Sequence, residues 1–257
     1  MRKLARPLVS LLTIYALTVS VHASGQETAN QAVIGRARGA YYSLARNGFK
    51  GFKATIEPNW EVILAHTATP ESLEVFRAVR FSLIVDEKGA ITINHEVNAI
   101  LTTPKMQRVV NEIHYHLQRL VAGFFSTWGM FMVDSAFGEA NTQIKVEHLG
   151  KEYRLTHSAA PGEVTILMTS DLLITEWNLV SPRAKRIVKP HFQKTDAGFL
   201  LTGYQGIFEP ITAGTKATLD FRIEYQDVGG MKLPHKVRLG GTYGDEPVEA
   251  ELVFKVN

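Results

Sequence analysis

The chain has 257 residues, 45% of them hydrophobic, with 28 Lys and Arg against 25 Asp and Glu and no cysteine. A chain without cysteine is expected to form no disulfide, thiolate metal site or thioether lipid anchor, so its fold must rest on an apolar core. The formal charge of +3 comes from Arg2, Lys3 and Arg6, and the rest carries 25 of each sign, which argues against a nucleic-acid binder that would keep a basic excess.

Those three cations precede an apolar run over residues 8–21, and Val21-His22-Ala23 ends it with small residues at the two positions a signal peptidase reads. The pattern is that of a secretory signal peptide over residues 1–23, cut after Ala23. No later stretch reaches about 18 uninterrupted apolar residues. Residues 24–257 are expected to form a single domain that is periplasmic or secreted, since no low-complexity linker or internal repeat divides them.

Residues 31–45 read as a helix, because Val33, Ala37, Ala40, Tyr41 and Leu44 share one face and Asn30 can cap it. Phe52, Ala54 and Ile56 then alternate as a strand. Thr69-Pro70-Glu71 opens a short helix ending near Val79 with a capping hydroxyl, a proline in the first turn and an early acid. Strands over 80–85 and 90–97 flank Asp86-Glu87-Lys88-Gly89 as a hairpin.

The most hydrophobic stretch of the chain after residue 23 is 103–133. At about 100° per residue, Met106, Val109, Val110, Ile113, Leu117, Leu120, Val121, Phe124 and Trp128 fall in one stripe about 120° wide, opposite Arg108, Glu112, Tyr115 and Arg119. Thr103-Pro104 supplies the start, and Gly123 or Gly129 the expected stop.

Beyond it the pattern turns to alternation. Ile144 and Val146, then Tyr153 and Leu155, flank a Gly150-Lys151 turn. Ala217, Leu219, Phe221, Ile223 and Tyr225 alternate with polar residues, as do Leu233, His235, Val237 and Leu239 and then Val248 to Val256. Strands with one dry face, joined by short turns, make an antiparallel meander. The expected fold class is therefore α+β: a large curved antiparallel sheet, a half-open barrel, with helices covering its concave face.

Asp171-Leu-Leu-Ile-Thr-Glu-Trp177, Gly198-Phe-Leu-Leu-Thr-Gly-Tyr204, Phe221-Arg-Ile-Glu-Tyr225 and Met231-Lys-Leu-Pro-His-Lys-Val237 resemble the LolA/LolB-like outer-membrane lipoprotein-sorting superfamily, over residues 141–257. The resemblance implies an incomplete barrel with helices plugging its concave side, holding acyl chains or another apolar ligand in the periplasm. Unlike the membrane-attached members, this chain has no anchor cysteine after the signal.

A cavity for a hydrophobic ligand is expected to be lined by Phe124, Phe125, Trp128, Met130, Phe131, Phe221, Ile223 and Tyr225, since Phe, Met and Trp give soft, adaptable apolar contact. Arg183, Lys185, Arg186 and Lys189 form a basic strip between Pro182 and Pro190, read as a solvated strand face or as a contact for anionic lipid headgroups. His114 and His116 point about 160° apart on a helix and cannot share an ion. His148, His157 and His235 lie on inward alternations, with His148 opposite Tyr153 and His157 opposite Ile144, about 13 Å apart along the hairpin.

No cofactor or metal is expected, and serine-nucleophile, zinc-helix and phosphate-loop motifs are absent. The expected function is non-enzymatic: a periplasmic carrier or binding protein for a lipid or other hydrophobic ligand, meeting a membrane or envelope protein transiently. The alternatives are an envelope scaffold that offers an open sheet edge and a hydrolase built on Glu176, His191 and His235.

Overall fold

The computed structural model describes residues 29–65, 70–97, 104–212 and 214–257. The signal-peptide reading of residues 1–23 and the helix caps at Thr69 and Thr103 lie outside the described residues. The helices are α1 (29–40), α2 (Trp60–Ile63), α3 (Pro70–Arg77) and α4 (Pro104–Met132). The first three strands are β1 (Phe52–Pro58), β2 (Val79–Val85) and β3 (Ile91–Val97). After α4 come β4 (Lys145–Leu149), β5 (Glu152–Ala159), β6 (Gly162–Thr169), β7 (Ile174–Val180), β8 (Ala184–Thr195), β9 (Gly198–Pro210), β10 (Ala217–Val228), β11 (Met231–Tyr243) and β12 (Glu246–Val256).

All twelve strands belong to one open sheet in the order β3-β2-β1-β12-β11-β10-β9-β8-β7-β6-β5-β4, and the described pairings are antiparallel. From β4 to β12 each strand pairs with the next, as expected of a meander whose turns are short. The exception joins the two ends of the chain: β1 lies beside β12, with Ala54 opposite Val256 and Pro58 opposite Leu252. β3 and β4 are the free edges.

Alternation decides which face is dry. In β2, Val79, Phe81, Leu83 and Val85 are buried while Arg80, Ser82 and Ile84 are exposed. In β12, Ala250, Leu252 and Phe254 are buried. Each of the Val, Leu and Phe side chains contributes about 1.5–3 kcal/mol by leaving water, and all point toward the face on which the helices pack. The opposite face carries exposed ion pairs such as Lys255–Glu57 at 2.6 Å and Arg238–Glu251 at 2.8 Å.

α1 ends five residues earlier than its spacing predicts. Tyr41 and Tyr42 leave the helix to meet β9: Tyr41 bridges Phe199 in parallel, and the Tyr42 amide donates to the Phe199 carbonyl at 3.1 Å. Gly198, at φ 111°, permits this approach, because a Cβ there would lie 2.6 Å from the Ala40 carbonyl oxygen. Ala45–Asn47 is instead a separate 3-10 turn, and Ile34 rather than Val33 is the deepest residue of α1 near its start.

α4 also departs from expectation by running through both Gly123 and Gly129 to Met132. A helical glycine costs about 1 kcal/mol. Burial of Phe124, Phe125, Trp128, Phe131 and Met132 on the sheet outweighs that cost, and the helix closes when Val133 and Asp134 donate to the Gly129 carbonyl at 2.8 and 2.9 Å.

Candidate functional site

α4 crosses the strands. His114 stacks on Phe81 of β2, Phe125 meets Phe52 of β1 and Phe254 of β12, Phe124 stacks on Phe221 of β10, and Phe131 meets Phe192 of β8. The 17 residues from His114 to Phe131 rise about 26 Å, close to the roughly 29 Å that six strand spacings occupy. One helix therefore reaches from β2 to β8, and the buried stripe matches the residues that the sequence puts there.

Of the eight residues expected to line a cavity, most come together in this layer and touch one another. Phe124 lies edge-on to Phe125 at 4.9 Å, and its ring is 6.0 Å from Phe221 and 6.3 Å from Phe254. Phe125 lies edge-on to Trp128 at 5.4 Å. Ile223 is buried beside them in the core, and Tyr225 donates its hydroxyl to the Leu201 carbonyl at 2.6 Å. Phe131 stands apart from the Phe221 group, 5.7 Å from Phe192, and Met130 is half-buried.

The basic strip does not act as one surface, which corrects the sequence reading. Period-2 geometry turns Lys185 and Lys189 to one face of β8 and Arg186 to the other, while Arg183 is exposed at the turn before the strand. Arg186 faces α4. Its Nη2 donates to Thr127 Oγ1, and its guanidinium carbon lies 6.0 Å over the Trp177 ring. The Thr127 hydroxyl proton is already committed to the Gly123 carbonyl at 3.3 Å, so a lone pair is free for the guanidinium.

No carboxylate pairs with Arg186 among the described residues. Burial pulls its pKa below the usual arginine value, with the Tyr204 hydroxyl opposing. Tyr204, stacked at 4.5 Å on Phe221, has its own pKa raised by burial, and its hydroxyl makes no well-formed hydrogen bond. The group is thus a cation, two aromatic rings and two hydroxyls where α4 meets β7, β8 and β9.

Next to Arg186 the sheet is apolar and open. Leu179 of β7 and Phe208 of β9 are its cross-strand partners, so they share its face. Phe208 is 46% exposed, and the same row continues through Ala217 to Tyr243, which is 54% exposed. A second concavity lies just past Thr127, at the C-terminal end of α4: a half-open cavity of about 180 Å³ bordered by Arg38, Tyr41, Tyr42, Arg46, Phe131 and Asp134. Its arginines are structural ties, since Arg38 donates to the Glu139 carbonyl at 2.6 Å and Arg46 to the carbonyls of Tyr41 and Gly39. The volume is below the roughly 300 Å³ of ordinary small-molecule sites.

The histidines separate. His148 lies opposite Tyr153, with ring centroids 4.3 Å apart, as expected, but is exposed. His157 is buried with Nε2 unpartnered, and His235 sits at the bulge where Tyr225 pairs with Pro234. His114 and His116 do diverge. What sequence reasoning missed is that His114 finds His95 of β3, with the two Nδ1 atoms 3.1 Å apart. The hydrolase trio is not assembled: Glu176 accepts from Asn178 at 2.7 Å, His191 is exposed, and β11, which holds His235, lies four strand spacings from β7, about 19 Å. Among the described residues no group of three His, Cys, Asp or Glu side chains could hold a metal ion.

Comparison of the chain with protein-family models, with curated proteins and with solved structures finds no match in any of the three.

Proposed function

We propose that the protein is an exported, periplasmic or secreted carrier for a lipid or other hydrophobic ligand, held between a curved, half-open sheet and α4. The observation that carries this reading is the row beside α4. On the face that the helix covers, Phe208 and Tyr243 remain 46% and 54% exposed in register with buried Ala217, so the dry face continues past its cover. Apolar surface left open at the margin of a core marks a binding region.

The ligand enters along this row and shares the face with Phe124, Phe125 and Trp128, displacing part of α4. A sixteen-carbon chain offers about 13 kcal/mol gross at roughly 0.8 kcal/mol per methylene, enough to compete with aromatic contacts of similar area. The resemblance to the lipoprotein-sorting superfamily supports the same reading. The scaffold alternative has less support, since edge strand β4 spans only Lys145–Leu149 and carries the ion pair Lys145–Glu147 at 2.6 Å, features that discourage edge pairing.

Native mass spectrometry and solvent extraction of the purified protein test the proposal. Co-purified lipid, or uptake of lipid from mixed vesicles, is the expected result. A protein that carries none and takes up none overturns it.

A further inference from the structure

We infer that Arg186 is the headgroup anchor of this site and that the ligand is an anionic amphiphile, with a carboxylate or phosphate at the guanidinium and its chain along Phe208 and the apolar row beyond. The inference rests on the carrier reading and adds to it the charge and orientation of what is carried.

Three observations converge on it. The first is an unneutralised cation. Nine ion pairs are formed by the described residues, all on other side chains, while Arg186 faces the helix with no carboxylate partner. A charge withdrawn from water without a counter-charge is costly, and an incoming oxyanion relieves that cost. The second is unused donor capacity. A guanidinium has five N–H groups in a planar fork that matches a carboxylate or phosphate; Thr127 takes one bond, from Nη2, and Trp177 supports the flat face. Nε and Nη1 make no hydrogen bond among the described residues, so these donors remain for an incoming group.

The third is what flanks it. A site for a free, hydrated anion would be surrounded by polar groups. Here the cross-strand neighbours are Leu179, half-buried, and Phe208, 46% exposed. A cation set into an exposed apolar row fits a molecule with a charged end and a greasy body. Lys185 and Lys189 point to the opposite face and take no part.

Stearic acid brominated at the two carbons next to its carboxyl group, its methyl ester and inorganic phosphate are suitable probes, because bromine quenches tryptophan on contact and Trp177 adjoins the guanidinium that would hold the carboxylate. Titration of the full protein is expected to show the acid binding about tenfold or more tightly than the ester, the value of one charge-assisted contact. Trp177→Phe should remove most of the quenching. Arg186→Gln should bring the acid to the level of the ester, and Arg186→Lys should keep part of the difference; Arg186→Met, which retains the packed stem, replaces the Gln variant if that does not fold. Acid and ester binding equally to the wild type, or a difference that survives in Arg186→Gln, overturns the headgroup role and leaves the carrier reading standing. Phosphate that binds through Arg186 while neither chain-bearing probe binds makes this a free-anion site and overturns the amphiphile. No binding of any probe sinks both readings together.

Discussion

Two neighbouring positions on α4 show two ways of meeting the sheet. Phe124 and Trp128 bury against Phe221, Phe125 and their neighbours, each almost without exposure, in a layer of rings that satisfy one another. Thr127, on the adjoining side of the same turn, receives Arg186, which has no carboxylate partner among the described residues, beside the Tyr204 and Trp177 rings. The first region stores stability, since its apolar contacts are made and only the Trp128 indole N–H lacks a well-formed hydrogen bond. The second leaves a cation without a counter-charge, and on the proposed reading the ligand's oxyanion supplies it.

That contrast can be broken by mutation. The largest effect is expected at Trp128→Ala or Phe124→Ala, about 3–5 kcal/mol of lost stability in urea unfolding, the usual cost of removing a buried aromatic. A loss below about 1 kcal/mol would mean that the ring layer is not packed as described. Arg186→Met should invert the pattern. Its unfolding free energy should stay within about 1 kcal/mol of wild type, or rise, because an unpaired partly desolvated charge is removed, while affinity for an anionic amphiphile falls about tenfold.

A smaller effect concerns the far end of α4. Burial first, and then the charge of His95, hold His114 below its ordinary value of 6.5. The unfolded chain then takes up a proton near pH 6.5 that the folded chain resists. Stability from this contact is complete above that pH and falls as pH drops below it. Urea midpoints measured from pH 7.5 to 5 should decline less in His114→Gln than in wild type; equal slopes would remove the His95–His114 contact from the account. The smallest effect is expected for Lys185→Ala and Lys189→Ala, within about 0.5 kcal/mol in stability and without change in amphiphile affinity. A marked loss of binding in either would restore the basic strip as a single surface.

Much of the architecture was legible in alternation. The dry parity of β10, β11 and β12 and the stripe of α4 follow from residue order, because burial on one face is what that order encodes. Arg186 was hidden by its company. Four cations in seven residues read as exterior, yet Ala184, Arg186 and Val188 share the parity that is dry elsewhere in the strand, and that signal was available. The His95–His114 contact was not, since it joins a strand to a helix through tertiary packing alone. Nor was the early end of α1, where Tyr41 and Tyr42 exchange helical bonds for bonds to β9: helical spacing cannot report a competing partner more than 150 residues away.

The pairing of β1 with β12 has a temporal meaning. Residues 252–256 lie opposite 54–58, so β1, β2 and β3 cannot join the rest of the sheet until the final strand is in place. Contacts of such long sequence separation are reached late and fold slowly. The nine-strand meander can grow by adding neighbours, whereas α4 contacts strands of both parts and completes its contacts only when the seam is closed. Deleting β12 should therefore leave two fragments without a common sheet rather than one sheet shortened by a strand, and the interval before closure is when this chain is most exposed to aggregation.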